Sequence, residues 1–593
     1  MDLLQAISDW LMQWFGRQLR PSPENCEKRF LSRDDGSRET VIKDEIDAIN
    51  KINFEKIREK YENGEDLMPN CDVGVWLRDC KKEIIKPILG EIQGEIPEWL
   101  NGNLFRNGPG GLSVGETKFK HLFDSTAIIH KFHIQNGRVT YQCRYLKSRT
   151  YEKNHTAQRI VVSEFGTAPV RDPCMTIFQK FSSIFEQDVS DNCMISIYPY
   201  RDQLYTHGET PTMYRIDSKT LDTVCSVQVD KYINIAHHTA HPHVLECGTI
   251  YNLGTTVEPT GPKYCIFNFP HTKLDEPKAK DIFSEAKIVA KVKTRWPAHP
   301  GYMHSFGMTD NYFIIVEQPM SIALPEMFFV NKIKNRPSSA ALKFYKDHPT
   351  LIHLISRKTG KPVFKFNAEP FFYLHIINQY EIEDYVILDI CVYKDPSMID
   401  CMFIEALKEA KHNPNYAKMF RSRPVRFVLP LRQPKMQKNL VTLKETNARA
   451  YWSKGKIYAV PEILCKIGCE TPRINYPLYM GKKYRYFYAI SSDVDLENPG
   501  TLIKVDTYTK KYRTWSEQGV FPSEPIFIPN LQSKDENDGL ILSSLLWTSD
   551  EKKVALLILD AKTFEEIGRA VFRTPEPIPK CLHGWFINLK YLE

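Results

Sequence analysis

From about residue 72 onward the chain is a succession of short runs of β-branched and aromatic residues, each cut by Gly, Pro, Asn or Asp. Met194–Tyr200, Gln203–Thr206, Thr249–Leu253, Tyr312–Gln318, Val386–Val392, Lys456–Val460 and Leu540–Leu546 are examples. Runs of this kind read as strands bounded by turns. More than 500 residues built this way would overfill a single sandwich. Radial repetition of small sheets absorbs the length without one oversized core, so the pattern predicts an all-β chain folded as a β-propeller. Helical stretches are few, and residues 172–187 and 402–420 are the segments predicted to be helical.

The first 71 residues differ in character and are read as an N-terminal extension, with residues 72–593 as the β domain. In residues 1–22, Leu4, Ile7, Leu11, Trp14 and Phe15 share one helical face, which suits a docking helix or one lying in a membrane interface. Ile46, Ile49, Phe54 and Ile57 line one face of a second, charge-rich helical stretch. No run of ~18 apolar residues exists, so no transmembrane helix is expected. Hydrophobic residues at 42% are enough for a large core, which excludes wholesale disorder. A net charge of +7 over 593 residues is compatible with an anionic membrane surface and too weak to argue nucleic-acid binding. Fourteen irregularly spaced cysteines without a CxxC pair read as reduced thiols in a cytoplasmic protein.

Four histidines share a local setting: His241 in Thr239-Ala-His-Pro-His243, His304 in Tyr302-Met-His-Ser305, His375 in Tyr373-Leu-His-Ile376, and His583 in Cys581-Leu-His-Gly584. They stand 63, 71 and 208 residues apart, and 208 is about three times 69. Histidines at one recurrent place in a unit of that size would converge on a propeller axis. Four neutral imidazoles suit a first-row metal and leave its charge uncancelled. Each would need a partner for its second ring nitrogen. Glu209, Glu470 and Glu524 stand in low-charge settings that fit this role. An apolar-context histidine is, however, ordinarily a satisfied core residue, and His207, His237, His238 and His243 compete for the same assignment.

These motifs resemble the carotenoid cleavage oxygenase family. Residues Pro97-Glu-Trp-Leu-Asn-Gly-Asn-Leu-Phe-Arg-Asn-Gly-Pro-Gly110 are similar to its opening motif, and His121-Leu-Phe-Asp-Ser-Thr-Ala-Ile-Ile-His130 to its next block. Thr239–His243, His304–Gly307, His375–Glu381, Glu470–Tyr476, Pro522–Phe527 and His583–Phe586 follow in family order. Within the family the chain resembles the insect isomerooxygenase branch, through Phe371–Asn378, Tyr486–Asp495 and Pro579–Trp585. Residues 1–70 lie outside the resemblance.

The resemblance implies a seven-bladed propeller with a helical cap over a substrate tunnel. It implies Fe(II) on the axis, held by His241, His304, His375 and His583, with Glu209, Glu470 and Glu524 behind the ligands and His241 lacking such a partner. No general acid or base is implied beyond the iron centre. The reaction implied is O2-dependent cleavage of a carotenoid (β-carotene or zeaxanthin) at the central 15,15′ double bond, with trans-to-cis isomerisation of one half. The products would be one 11-cis and one all-trans retinal, or their 3-hydroxy forms, for visual chromophore supply. Cleavage without isomerisation, eccentric cleavage, an O2-independent retinyl ester isomerohydrolase and a non-catalytic carotenoid-binding propeller are the alternatives. One departure is Gly208, where the family often has Thr beside the open iron positions.

A carotenoid is nearly insoluble and must be drawn from lipid, which implies peripheral membrane association. The expected membrane patch is Cys174, Ile177, Phe178, Phe181, Ile184 and Phe185, with Cys174 at a position acylated in the vertebrate retinoid-isomerase branch. Residues 320–335 are a second candidate patch.

Overall fold

The computed structural model describes residues 40–171, 189–271 and 282–589, without the side chains of residues 52–57. The 1–22 helix, the 172–187 helix and the patch residues Cys174, Ile177, Phe178, Phe181, Ile184 and Phe185 lie outside the described residues.

Seven sheets of four to six strands make up the described architecture, together with two small two-stranded ribbons. The chain is a seven-bladed β-propeller. In chain order the blades are built from residues 84–145, 196–228, 237–293, 307–368, 372–430, 470–515 and 520–573. The fourth blade is extended at its outer edge by Arg449–Ser453 and Lys456–Val460, the latter joined in parallel to Pro362–Ala368. Every strand named above from the sequence is present. Val386–Val392, for example, lies within the strand Tyr385–Tyr393.

Blades stack face to face, so their middle strands are covered on both sides. Gly102–Gly111, Tyr385–Tyr393 and Gly539–Trp547 are buried at every position. This explains why a segment such as Tyr385–Tyr393 is apolar at nearly every position instead of alternating.

The ring is closed by strands distant in sequence. Gly584–Asn588 pairs antiparallel with Gly102–Gly111 at the inner edge of the first blade. Glu91–Gly94 in turn pairs with Glu566–Arg573 at the outer edge of the last. The first of these junctions is tight. A Cβ on Gly584 would stand 2.5 Å from the Phe105 carbonyl oxygen, a contact that only glycine avoids.

Residues 402–420 are not one helix. They form Ile404–Lys408, a turn at Ala410–His412 and Tyr416–Phe420. The break falls at Asn413-Pro414, where proline forces Asn413 into an extended conformation (φ −98°, ψ 108°). With Arg149–Ala157, Glu326–Val330 and Ser397–Asp400, these short helices contribute residues to the outer wall of the central cavity. Among the described residues no helix is long and apolar enough to cross a membrane.

The helix Val41–Glu62 is strapped to the propeller. Ile42 and Ile46 are buried in the core cluster that contains Phe371 and Val392. The Ile42 N–H donates to Glu369, the Lys394 ammonium to Asp47, and Arg421 to Asn50. Truncating Ile46, which is fully buried, removes packing that the fixed blade surface cannot recover. Ile46→Ala is expected to lower unfolding stability by about 3 kcal/mol, read as a shift in the denaturant midpoint.

Candidate metal centre

The blades deliver one residue each to a common point. Glu209 follows the strand Gln203–His207. His241 sits between the short strands His237–His238 and His243–Val244, and His304 lies just before Gly307–Met308. His375 is inside Phe372–Ile382, where the pairing register shifts between Tyr373 and Ile376. Such an irregularity re-aims a side chain out of the ladder. Glu470 begins Glu470–Arg473, Glu524 lies between Val520–Pro522 and Ile526–Pro529, and His583 precedes Gly584–Asn588. The interval of 208 residues between His375 and His583 spans the two blades that carry Glu470 and Glu524.

The four imidazoles meet. His241 and His375 each contact both His304 and His583, with ring centroids 4.6–5.1 Å apart. Three of the rings are tethered through Nδ1. His304 donates to Glu209 (2.6 Å), His375 to Glu470 (2.5 Å) and His583 to Glu524 (2.8 Å). Among the described residues no carboxylate reaches His241. A proton held on Nδ1 leaves the lone pair on Nε2. The His241 and His304 Nε2 atoms stand 3.0 Å apart, and His375 Nε2 is buried without a partner.

This donor set fits a metal ion. The His304 Nε2 lone pair faces His241 Nε2 at 3.0 Å, a gap that is bridged either by a proton on His241 Nε2 or by a cation held between the two nitrogens. Two imidazole nitrogens about 2.1 Å from one ion, at a right angle, are themselves about 3.0 Å apart. Ligand atoms of His241, His304 and His375 all fall within 4.8 Å of one another. His583 completes the ring of imidazoles but stands outside that tighter group. Burial and the neighbouring imidazoles hold His241 well below the usual histidine range, and burial lowers His583 to about 4. Both rings are therefore neutral at pH 7, as a metal ligand must be.

The three carboxylates are not equivalent. Glu209 is 27% exposed and otherwise accepts from the Tyr302 hydroxyl. Glu470 accepts from the Thr471 N–H. Glu524, 2% exposed, accepts from Arg473 Nε (2.8 Å) and the Gly584 N–H (2.9 Å), with Arg106 at 3.9 Å. Burial alone would raise the Glu524 carboxyl. Arg473 first, then His583 and Arg106, outweigh burial and hold it well below the carboxylate range.

Three of the competing histidines are bonded locally, and the fourth, His207, is packed among rings with neither nitrogen hydrogen-bonded among the described residues. His243 is bonded to the Tyr476 hydroxyl and the Phe306 carbonyl, His238 to the Thr239 carbonyl, and His237 to the Thr255 hydroxyl. His207 is enclosed by Tyr198, Tyr200 and His238. Tyr302, Arg473 and Arg106 escaped the sequence reading as site residues, although each stands inside one of the motif segments quoted above.

His304, His375 and His583 line a cavity of about 1250 Å3. It exceeds the roughly 300–1,000 Å3 of ordinary small-molecule sites. Its walls are largely apolar, with Trp76, Phe123, Phe165, Leu324, Met327 and Phe328 among them. Gly208 lines the same cavity beside Glu209. A Cβ there would meet nothing closer than 3.5 Å, so glycine leaves room that a larger side chain could occupy. His241 instead faces a separate cavity of about 90 Å3, shared with Arg473 and Tyr476.

Residues 77–588 match the family described as retinal pigment epithelial membrane protein. The chain belongs to this family of carotenoid oxygenases. It is 46% identical to a carotenoid isomerooxygenase of Drosophila melanogaster, over 89% of this chain and 95% of that one. It is 48% identical to a carotenoid isomerooxygenase of Galleria mellonella, over 88% and 98%. A β,β-carotene 15,15′-dioxygenase of Gallus gallus is 38% identical, over 86% and 97%. Among solved structures the fold is similar to the cobalt-substituted apocarotenoid oxygenase of Synechocystis, with a TM-score of 0.68 at 20% identity, covering 87% of this chain and 99% of that one.

The unequal carboxylates of this carotenoid oxygenase separate two effects. Glu209→Gln is expected to weaken metal binding about 10–100-fold with little change in the stability of metal-free protein. Glu524→Gln also strands the buried Arg473, and is expected to cost about 3–5 kcal/mol of metal-free stability besides. Competition with a chelating dye and denaturant unfolding measure the two quantities.

Proposed function

We propose that this chain is an Fe(II)-dependent carotenoid isomerooxygenase. It cleaves an all-trans carotenoid at the central 15,15′ double bond and turns one half to the 11-cis form. The products are one 11-cis and one all-trans retinal, or 3-hydroxyretinals, which serve as visual chromophore. Residues 72–593 form the catalytic unit, and residues 1–71 are an extension. The observation that carries the reading is the ring of four histidines and three carboxylates at the wall of a large apolar cavity. The names of the relatives at 46% and 48% identity supply the substrate class and the isomerisation.

In this reading His241, His304, His375 and His583 hold the iron. When bound, Fe(II) supplies the one-electron chemistry that lets O2 react with a closed-shell polyene. The chain's own residues do the rest. Glu209, Glu470 and Glu524 hold the Nδ1 protons, which fixes the tautomers and raises ligand basicity. Trp76, Phe123, Phe165 and Phe328 exclude water and hold a stiff polyene in one position along the cavity. Gly208 leaves space beside Glu209 and His304 for the reacting segment.

Membrane association has support at the cavity mouth. Within 320–335 the residues divide. Met320 is buried, and Leu324, Met327 and Phe328 turn into the cavity. Ile333 is 59% exposed, as are Val189 (58%) and Val170 (44%), beside Arg171, Lys332 and Arg336. Apolar tips amid cations suit an anionic lipid surface next to the opening. The protein is thus read as cytoplasmic and peripheral, drawing its substrate from lipid.

Two measurements test this. Iron-loaded protein given all-trans zeaxanthin in micelles under air is expected to yield equal amounts of an 11-cis and an all-trans C20 aldehyde, resolved by chromatography with mass spectrometry. All-trans aldehydes alone would remove the isomerase, and no aldehyde would remove the oxygenase. Ile333→Asp, at an exposed site, is expected to reduce binding to phosphatidylserine vesicles by roughly tenfold without lowering thermal stability.

A further inference from the structure

Three lysines are buried among the described residues: Lys131, Lys504 and Lys580. Lysine is almost never fully buried unless paired. None of the three is paired with a carboxylate. Lys131 donates to the Ser218 and Lys219 carbonyls, and Lys504 to those of Ala561 and Lys562. Lys580 has one carbonyl partner, Pro522, and otherwise lies over the Trp76 ring, 5.1 Å from its centroid.

Lys580 is also the one of the three that lines the large cavity, together with Trp76, Phe521, Pro522 and Leu582. It belongs to the segment that carries His583, three residues before it. The other cavity-lining lysine, Lys332, stands at the mouth beside exposed Ile333. Burial lowers the Lys580 amine to about 7; the neighbouring Cys581 opposes this, and Arg106 adds a smaller lowering effect. Desolvation in an apolar site and a neighbouring cation are the two conditions that turn lysine into a nucleophile toward carbonyl groups.

We propose that Lys580 is a covalent docking point for an aldehyde in this cavity, holding one cleavage product as a reversible imine. The Nζ lone pair adds to the aldehyde carbon. The amine loses its two hydrogens, the aldehyde oxygen departs with them as water, and a C=N bond replaces the C=O bond. No oxidant or reductant takes part. The site rests on the reading above that the products are aldehydes. Its role is retention: one half stays in the cavity while the other leaves, and water later releases it. The Trp76 face supports the cationic, protonated form of the imine as it does the ammonium.

The test uses full-length, metal-free protein and ready-made all-trans-retinal. The mixture is reduced with borohydride, digested and mapped by mass spectrometry. A reduced retinyl adduct is expected on Lys580, roughly tenfold above that on any exposed lysine at neutral pH, because the free-amine fraction there is larger. Lys580→Arg keeps the cation over Trp76 and is expected to lose that adduct alone. Adducts on exposed lysines, with Lys580 labelled no more than they are, overturn the proposal. That result in the unsubstituted protein decides even if the arginine variant fails to fold. Since the aldehyde is supplied and no metal is present, failure here is distinct from failure to cleave a carotenoid.

Discussion

Closure of the ring is the constraint on which the rest depends. The pairing of Gly584–Asn588 with Gly102–Gly111 joins strands more than 470 residues apart, and His583 is the residue immediately before that pairing. The hydrogen bonds that make the ring whole therefore also set the fourth imidazole. Arg106, on the partner strand, fastens the same corner by donating to the Leu582 and Glu524 carbonyls. Architecture and chemistry share one set of contacts at this point, and neither can be altered alone.

Seven blades contributing one residue each also impose an order. The histidine blades run third, fourth, fifth and first, and the glutamate blades fill the remaining places. Two of the carboxylates serve a histidine on the next blade, whereas Glu209 reaches past the blade of His241 to His304. That longer reach leaves Glu209 the most open of the three, facing the cavity with Tyr302 as its support. Glu524, by contrast, is already neutralised by Arg473 and Arg106. The electrostatic push on a bound cation is thus uneven around the ring, greatest from the side of Glu209 and Glu470.

Much of this was legible in the letters. Runs such as Tyr385–Tyr393 read as strands because blades stacked face to face leave no polar side. The spacing of the histidines carried the blade repeat, including the two blades that interrupt it. What could not be read was which imidazole stays free. His241 and His243 are two residues apart in the same motif, and only the tertiary contacts of His243 with Tyr476 and Phe306 remove it. Arg473 and Tyr302 were hidden likewise, because a polar side chain next to a motif residue can face either the site or solvent. The 402–420 segment was misread for a local reason, since its helical pattern was followed across Pro414.

The late arrival of His583 has a consequence for biosynthesis. While the ribosome is still adding the last blade, the growing chain holds three imidazoles of an incomplete circle and two unpaired sheet edges. A metal ion captured at that stage would meet a site open to water, and the bare edges would invite pairing with another nascent chain. The ring of imidazoles is complete only once Gly584–Asn588 has paired with the first blade, so the interval before closure is when the chain is most exposed to mispairing.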